Sequence, residues 1–286
     1  MVLYFYLLPA DSHAAYESVA HGVITYQGPG TCNSSNLTYA TYDAMAWDAA
    51  IVSYNSAYQS ANAWKWLDAQ VDGADFWDAG FFYGADETNH YGTDWADVIF
   101  FSGHGGHNGC AGSTRWTYLV MGDSNGGACN VVLGSTSNKV ILGAPGASSD
   151  ANYLMMHASV ALRYPCAASG NIIYEIDGGG SGAELTLING LHNSPLDELD
   201  NSSEVDDYLF YTEFNAVGDC WGDIMSMRAD DVYECSVSSV TSSSASTADN
   251  LFFYGGMSDF KDTGSHNQHW YYFDCARDMC GDLPWC

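Results

Sequence analysis

Residues 94–106 read DWADVIFFSGHGG, an apolar run that ends abruptly in Gly-His-Gly. A short, almost unbroken apolar run of this kind is typical of a strand that is covered on both faces of a sheet. Ligands of open α/β sheets bind beyond the carboxyl ends of the strands, so the motif predicts a functional position for His104. The flanking glycines permit a tight turn and leave backbone N–H groups accessible.

Similar apolar runs recur along the chain and alternate with helical patterns. The predicted strands occupy residues 2–8, 76–83, 96–101, 139–142, 153–157 and 185–188. The predicted helices occupy residues 41–70, 204–217 and 221–227. Strands that alternate with helices predict an α/β fold with a largely parallel sheet.

The composition changes near residue 232, and we predict a boundary there. Residues 232–245 are rich in Ser, residues 251–254 and 270–273 predict further strands, and three cysteines fall in the last 12 residues. We therefore predict an α/β domain over residues 1–231. Residues 232–286 are predicted to form a disulfide-pinned, β-rich C-terminal extension that packs on that domain.

A second apolar strand, residues 152–160, reads NYLMMHASV and places Ser159 55 positions after His104. The two strand ends resemble the His-Gly and Ala-Cys strand ends of the caspase, legumain and gingipain clan of cysteine peptidases, which in caspases lie about 50 residues apart. The resemblance covers roughly residues 2–227 and is closest to an uncharacterised bacterial family of that fold. It implies three layers, with a mainly parallel sheet between helices on both faces.

Carried over residue by residue, the resemblance implies a general base at His104 and an oxyanion-hole N–H at Gly105. The nucleophile position falls on Ser159, where the clan has Cys. A thiol has an ordinary pKa of about 8.5 and is partly ionised at neutral pH. A serine hydroxyl, by contrast, becomes a nucleophile only with the help of a well-oriented base. We therefore predict a catalytically inactive, secreted structural or binding protein. The alternative is an active hydrolase, of the peptidase type, that uses Ser159 and His104.

Neighbouring residues leave two further interpretations open. His104, His107 and Cys110 lie at three-residue spacing, which permits a transition-metal site, although a disulfide competes for Cys110. His157 lies on the same strand face as Ser159 and either orients that serine or is a hydrogen-bonded core histidine.

The charge balance excludes several classes of partner. Asp and Glu total 35 of 286 residues, but Lys and Arg total only 7, which gives a net charge of -28. Seven scattered bases cannot form the basic stripe that nucleic acid requires. No apolar run reaches the length of a membrane-spanning helix, so membrane insertion is not expected. Self-association bridged by cations, in an extracellular filament or surface layer, is favoured instead.

Carboxylates that fold together without bases predict sites for a hard cation, and we expect Ca²⁺ but no organic cofactor. Solvated loop faces are the competing interpretation for each cluster. The candidate Ca²⁺ ligands are Asp123, Asn125, Asp197, Asp200, Glu204, Asp206 and Asp207.

Nine cysteines without a C-x-x-C pattern favour disulfides in an oxidising compartment over redox or zinc motifs. Their odd number leaves one thiol free or bonded between chains. Three sequons mark Asn33, Asn36 and Asn201 as candidate glycosylation sites. Together these features predict an extracellular or cell-surface location.

Overall fold

The structure is a computed structural model. It describes residues 16–28, 30–32, 34–55, 58–78, 84–85, 92–107, 117–123, 129–133, 140–143, 151–159, 161–162, 185–191, 201–213, 215–227, 236–256 and 267–272. The first strand predicted from the sequence, at residues 2–8, lies outside the described residues.

The described strands form one large and one small sheet. The large sheet contains β1 (Tyr16–Gly22), β2 (Tyr58–Leu67), β3 (Val98–Gly103), β7 (Tyr153–Ala158), β8 (Leu187–Leu191), β9 (Ser236–Thr241) and β10 (Gln268–Tyr272). The small sheet contains β4 (Gly105–His107), β5 (Thr117–Val120) and β6 (Asn130–Leu133). The described α-helices are α1 (Ala40–Tyr54), α2 (Asn201–Thr212), α3 (Val217–Met227) and α4 (Ala245–Tyr254).

The large sheet has the strand order β2-β1-β3-β7-β8-β9-β10. Neighbouring strands from β2 to β8 pair in parallel, whereas β9 pairs antiparallel with both β8 and β10. The prediction of an α/β fold with a mainly parallel sheet is confirmed.

Alternate residues of β3 serve two cores, because successive side chains of a strand point to opposite faces. Val98 and Phe100 belong to the core shared with the helices, while Ile99 and Phe101 belong to the core on the other face. Trp47 of α1 stacks on Phe100 with 4.6 Å between the ring centroids. The unbroken apolarity of this strand therefore reflects its burial on both faces.

All four described α-helices contribute to the same core, through residues that include Trp47, Tyr208, Trp221 and Phe252. The opposite face is covered by the small sheet and by a short 3₁₀ turn at Gly73–Phe76. Within the described residues, α-helices therefore cover one face of the sheet, and the layering predicted on both faces stays a prediction.

Several local predictions were wrong for identifiable reasons. The helix predicted over residues 41–70 ends at Tyr54, and β2 follows it because residues 63–67 pair with β1. Pairing with a neighbouring strand has overridden the helical propensity of this Ala-rich segment. The strand predicted at residues 251–254 is the end of α4, whose N-terminus is capped by Ser244. Residues 140–142 lie in no strand. Of the strand predicted at residues 76–83, Phe76 ends a 3₁₀ turn, and residues 79–83 lie outside the described residues.

The C-terminal part of the chain joins the large sheet. Residues 236–241 and 268–272 form its last two strands, and α4 lies between them in sequence. Cys235, Cys275, Cys280 and Cys286, which would pin the predicted extension, lie outside the described residues. The boundary at residue 232 stays a prediction.

Candidate functional site

The ends of β3 and β7 lie side by side at the carboxyl edge of the large sheet. The two strands are parallel neighbours, and Gly103 pairs with Ala158 in the last position of the register. The next residues along each strand are His104 and Ser159, so the fold brings both strand ends to one place. A side-chain carbon added at Gly105 would lie only 2.9 Å from the carbonyl oxygen of Ser159. The two backbones are therefore in direct contact, and Gly fits there because it has no side chain.

The imidazole of His104 is held by the loop that follows β1. Its Nε2 lies 2.7 Å from the carbonyl oxygen of Ser35 and 3.2 Å from the hydroxyl of the same residue. A carbonyl oxygen only accepts hydrogen bonds, so Nε2 carries the proton and donates it. In the neutral ring, Nδ1 is then left as the acceptor.

Tyr26 supports His104 from a second side. Its hydroxyl accepts a 2.9 Å hydrogen bond from the His104 backbone N–H, and the two rings lie 4.7 Å apart. Tyr26 is fully buried. The backbone and the ring of His104 are therefore both fixed by residues of the same loop.

We call residues 23–39 the Ser35 loop; residues 29 and 33 of this loop lie outside the described residues. The side-chain carbonyl of Asn36 accepts hydrogen bonds from the backbone N–H groups of Tyr26 and Gln27, at 2.8 and 3.0 Å. A disulfide between Cys32 and Cys129 joins the loop to the segment that leads into the small sheet. This bond confirms one of the disulfides expected from the cysteine pattern.

Ser159 is half-buried at the end of β7. Within the described part of the chain, its hydroxyl makes no hydrogen bond, and the serine that contacts the His104 ring is Ser35. The hydrogen bond between base and nucleophile that a serine hydrolase requires is therefore not formed between these described residues.

A buried polar cluster lies one position before this edge in the β3–β7 register, where Ser102 pairs with His157. The Asp43 carboxylate, 1 % exposed in the first turn of α1, accepts a 2.6 Å hydrogen bond from the Ser102 hydroxyl. The Nδ1 atom of His157 lies 3.3 Å from the same carboxylate oxygen. His157 is thus a hydrogen-bonded core histidine, which is one of the two interpretations of its position in the sequence. Sequence reasoning missed Asp43, because its partners lie 59 and 114 positions away.

The N-terminus of α1 reaches this cluster because the residue of β1 that packs against it is Gly22. A side-chain carbon at Gly22 would lie 2.7 Å from both the Ala40 carbonyl oxygen and the Ala44 Cβ. The missing side chain lets α1 approach the end of β1 closely enough for Asp43 to reach Ser102.

The candidate Ca²⁺ ligands are only partly described. Asp206 accepts a 3.2 Å hydrogen bond from the Tyr54 hydroxyl, Glu204 is buried in α2, and Asp123 forms a β-bridge with Thr31. Asn125, Asp197 and Asp200 lie outside the described residues. Where the chain is described, no three His, Cys, Asp or Glu side chains come close enough to hold a metal ion. Calcium therefore stays a prediction.

The other predicted sites have similarly partial outcomes. His107 lies in β4, but Cys110 of the proposed transition-metal set lies outside the described residues. Asn36 is exposed and Asn201 begins α2, whereas Asn33 lies outside the described residues. Glycosylation at these positions stays a prediction.

Cys220 is a free, buried thiol on α3. Burial, reinforced by Asp219 and Asp223, raises the pKa of this thiol to about 12. It stays protonated at neutral pH and is not a nucleophile.

Comparisons with protein-family models, curated proteins and solved structures found no match to this chain. No α-helix within the described residues has both the length and the apolarity needed to cross a membrane. The class that the fold itself defines is an α/β protein with a mainly parallel, seven-stranded sheet in its described part.

Proposed function

We propose that the chain is a secreted structural or binding protein built on a degenerate cysteine-peptidase fold of the caspase, legumain and gingipain type. The observation that carries the proposal is the pairing of β3 with β7, which sets His104 beside Ser159 at one sheet edge. The proposal includes helices on both faces of the sheet, of which the described residues supply one layer.

The inactivity in this proposal follows from the chemistry of Ser159. A serine hydroxyl becomes a nucleophile only when a base accepts its proton, whereas a thiol is partly ionised without help. The His104 ring is engaged by Ser35 through Nε2, and the Ser159 hydroxyl makes no hydrogen bond within the described residues. In this proposal His104 offers Nδ1 as a hydrogen-bond acceptor to a ligand and does not act as a general base.

A fluorophosphonate probe tests the inactivity, because it reacts only with an activated serine. We expect no modification of Ser159 by mass spectrometry and no turnover of peptide or ester substrates. Modification of Ser159 that disappears in His104→Ala would contradict the proposal. It would establish the alternative, an active hydrolase that uses Ser159 and His104. A Ser53→Ala variant is the matched control, since Ser53 is an exposed serine on α1.

Self-association is the second part of the proposal. Large apolar side chains are exposed on three of the helices, at Tyr42, Met45, Phe210, Tyr211, Phe253 and Tyr254. Exposed aromatic surface is typical of interaction sites. Because each copy carries a net charge of -28, close packing of copies requires cations between them.

Electron microscopy and sedimentation of the purified chain test the assembly. We expect particles larger than a monomer with Ca²⁺ present, and dissociation when a chelator removes it. Particles that stay monomeric under both conditions would reject self-association and leave a ligand-binding role.

A further inference from the structure

We propose that Asn36 is a positioning residue for His104, which it acts on through the Ser35 loop. Its side-chain carbonyl closes this loop, so that His104 keeps its proton on Nε2 and leaves Nδ1 as an acceptor at the sheet edge. The inference rests on the proposed function, since a site at this edge is what gives the orientation of the ring a role.

The first step of the argument is the closure of the loop. The Asn36 carbonyl accepts the N–H groups of Tyr26 and Gln27, and the Leu37 N–H donates to the Ile24 carbonyl at 3.0 Å. These three hydrogen bonds connect the outgoing and returning segments of the loop at successive positions. One amide side chain thereby does what a pair of backbone groups does in a regular turn.

The second step is the position of the groups that hold His104. Ser35, whose carbonyl accepts from His104 Nε2 at 2.7 Å, is adjacent to Asn36. Tyr26, whose hydroxyl accepts from the His104 backbone N–H, is itself one of the residues that donate to Asn36. Of the two residues that hold His104, Ser35 is therefore next to Asn36 in the chain, and Tyr26 is hydrogen-bonded to it.

The third step separates Asn36 from the other anchors of the loop. The Asp68 carboxylate accepts from the N–H groups of Ile24 and Thr25, both at 2.9 Å, and so fixes the start of the loop. The disulfide at Cys32 fixes its tip. Neither anchor joins the Tyr26 segment to the Ser35 segment; the Asn36 side chain makes that connection, beside the backbone hydrogen bond from Leu37 to Ile24.

Nitrogen-15 NMR of histidine-labelled protein tests the inference directly. The wild type is expected to show a slowly exchanging Nε2–H signal for His104, assigned by its disappearance in His104→Gln. Asn36→Ala removes the acceptor and should lose this signal to solvent exchange. Asn36→Asp places a carboxylate oxygen where the amide oxygen was, so the acceptor remains and the Nε2–H signal should be retained. Asn215→Ala is the matched control, because the Asn215 side chain donates a hydrogen bond to the Tyr211 carbonyl in α2, away from the Ser35 loop.

A chemical readout uses the same variants in a Ser159→Cys background. His104 Nδ1 first accepts the proton of the introduced thiol, and the resulting thiolate then attacks iodoacetamide, so that a carbon–sulfur bond forms and iodide leaves. Asn36→Ala should slow this alkylation about tenfold, a fraction of the roughly 10²–10⁴-fold that positioned acid–base groups contribute. Asn36→Asp and Asn215→Ala should leave the rate unchanged.

Retention of both the Nε2–H signal and the alkylation rate in Asn36→Ala would overturn the inference. If that variant does not fold, hydrogen exchange in the wild type decides the question. The His104 ring N–H should then exchange no more slowly than the Tyr26 and Gln27 amides that share the Asn36 closure, and a much slower ring N–H would refute the inference. These outcomes are independent of the fluorophosphonate result, which reports whether Ser159 is activated and not how the ring is held.

Discussion

Acidification is expected to destabilise the folded chain through His21, a histidine in β1 that is fully buried. Its Nε2 lies 3.2 Å from the Thr93 hydroxyl, and its ring lies 4.7 Å from that of Phe76. Burial lowers the pKa of His21 from 6.5 to about 3. The folded state therefore keeps this ring neutral under conditions in which the unfolded chain binds a proton.

The sign and the size of the effect follow from this difference in pKa. The contribution of His21 is fully present above the unfolded pKa of 6.5 and is lost as the pH falls toward the folded pKa of about 3. Each pH unit in this window corresponds to about 1.4 kcal/mol, so the free energy of unfolding should fall by ~5 kcal/mol across it.

Denaturant titrations at about pH 7, 6, 5 and 4 measure this effect as a difference between variants, which removes the contribution of other titrating groups. His21→Gln replaces the ring with a side chain that does not titrate, and it should flatten the pH dependence by about 1.4 kcal/mol per pH unit. His107→Gln is the matched control, because His107 is only half-buried in β4. Parallel curves for the wild type and His21→Gln would refute the reasoning.

Three further predictions concern stability. Burial raises the pKa of Asp75 from 3.8 to about 7, so this carboxyl opposes folding once the pH rises above 3.8. Asp75→Asn should therefore raise the denaturation midpoint at about pH 8 and leave it unchanged at about pH 4. An equal effect at the two pH values would contradict this prediction. Replacing Cys32 and Cys129 together by Ser removes a cross-link between positions 97 residues apart. The free energy of unfolding should then fall by about 2–5 kcal/mol. An unchanged midpoint of denaturant unfolding would show that other constraints hold the loop. Gly22→Ala should cost about 1–3 kcal/mol by overpacking against α1, measured by thermal denaturation, and a neutral result would mean that the helix shifts freely.

The sequence identified the two strands that carry the candidate site because their signal is local. Residues 96–101 and 153–157 are apolar runs with a clear end, and they correspond to β3 and β7. The strand at 236–241 was missed because it is rich in serine, a residue type that is usually exposed, although the serines of this strand are buried. The Ser238 hydroxyl donates to the Asn189 side-chain carbonyl at 2.6 Å, which satisfies a polar group inside the sheet.

The supports of His104 could not be read from the sequence for a different reason. Ser35 acts through its backbone carbonyl and lies 69 positions from His104, and a carbonyl has no residue-type signature. Tyr26 lies 78 positions away and resembles any other core aromatic residue. Contacts of this kind depend on the path of the whole loop, and one of its anchors, the Cys32–Cys129 disulfide, joins positions 97 residues apart.

The pKa of a thiol placed at position 159 tests the central claim most directly. In Ser159→Cys, the pH dependence of iodoacetamide labelling, followed by mass spectrometry at that position, gives the pKa of the introduced thiol. A peptidase-type site predicts a pKa below the ordinary value of about 8.5, because a nearby histidine favours the thiolate, and a return toward that value when His104→Gln is added. An ordinary or raised thiol pKa that is unchanged by His104→Gln would contradict the account.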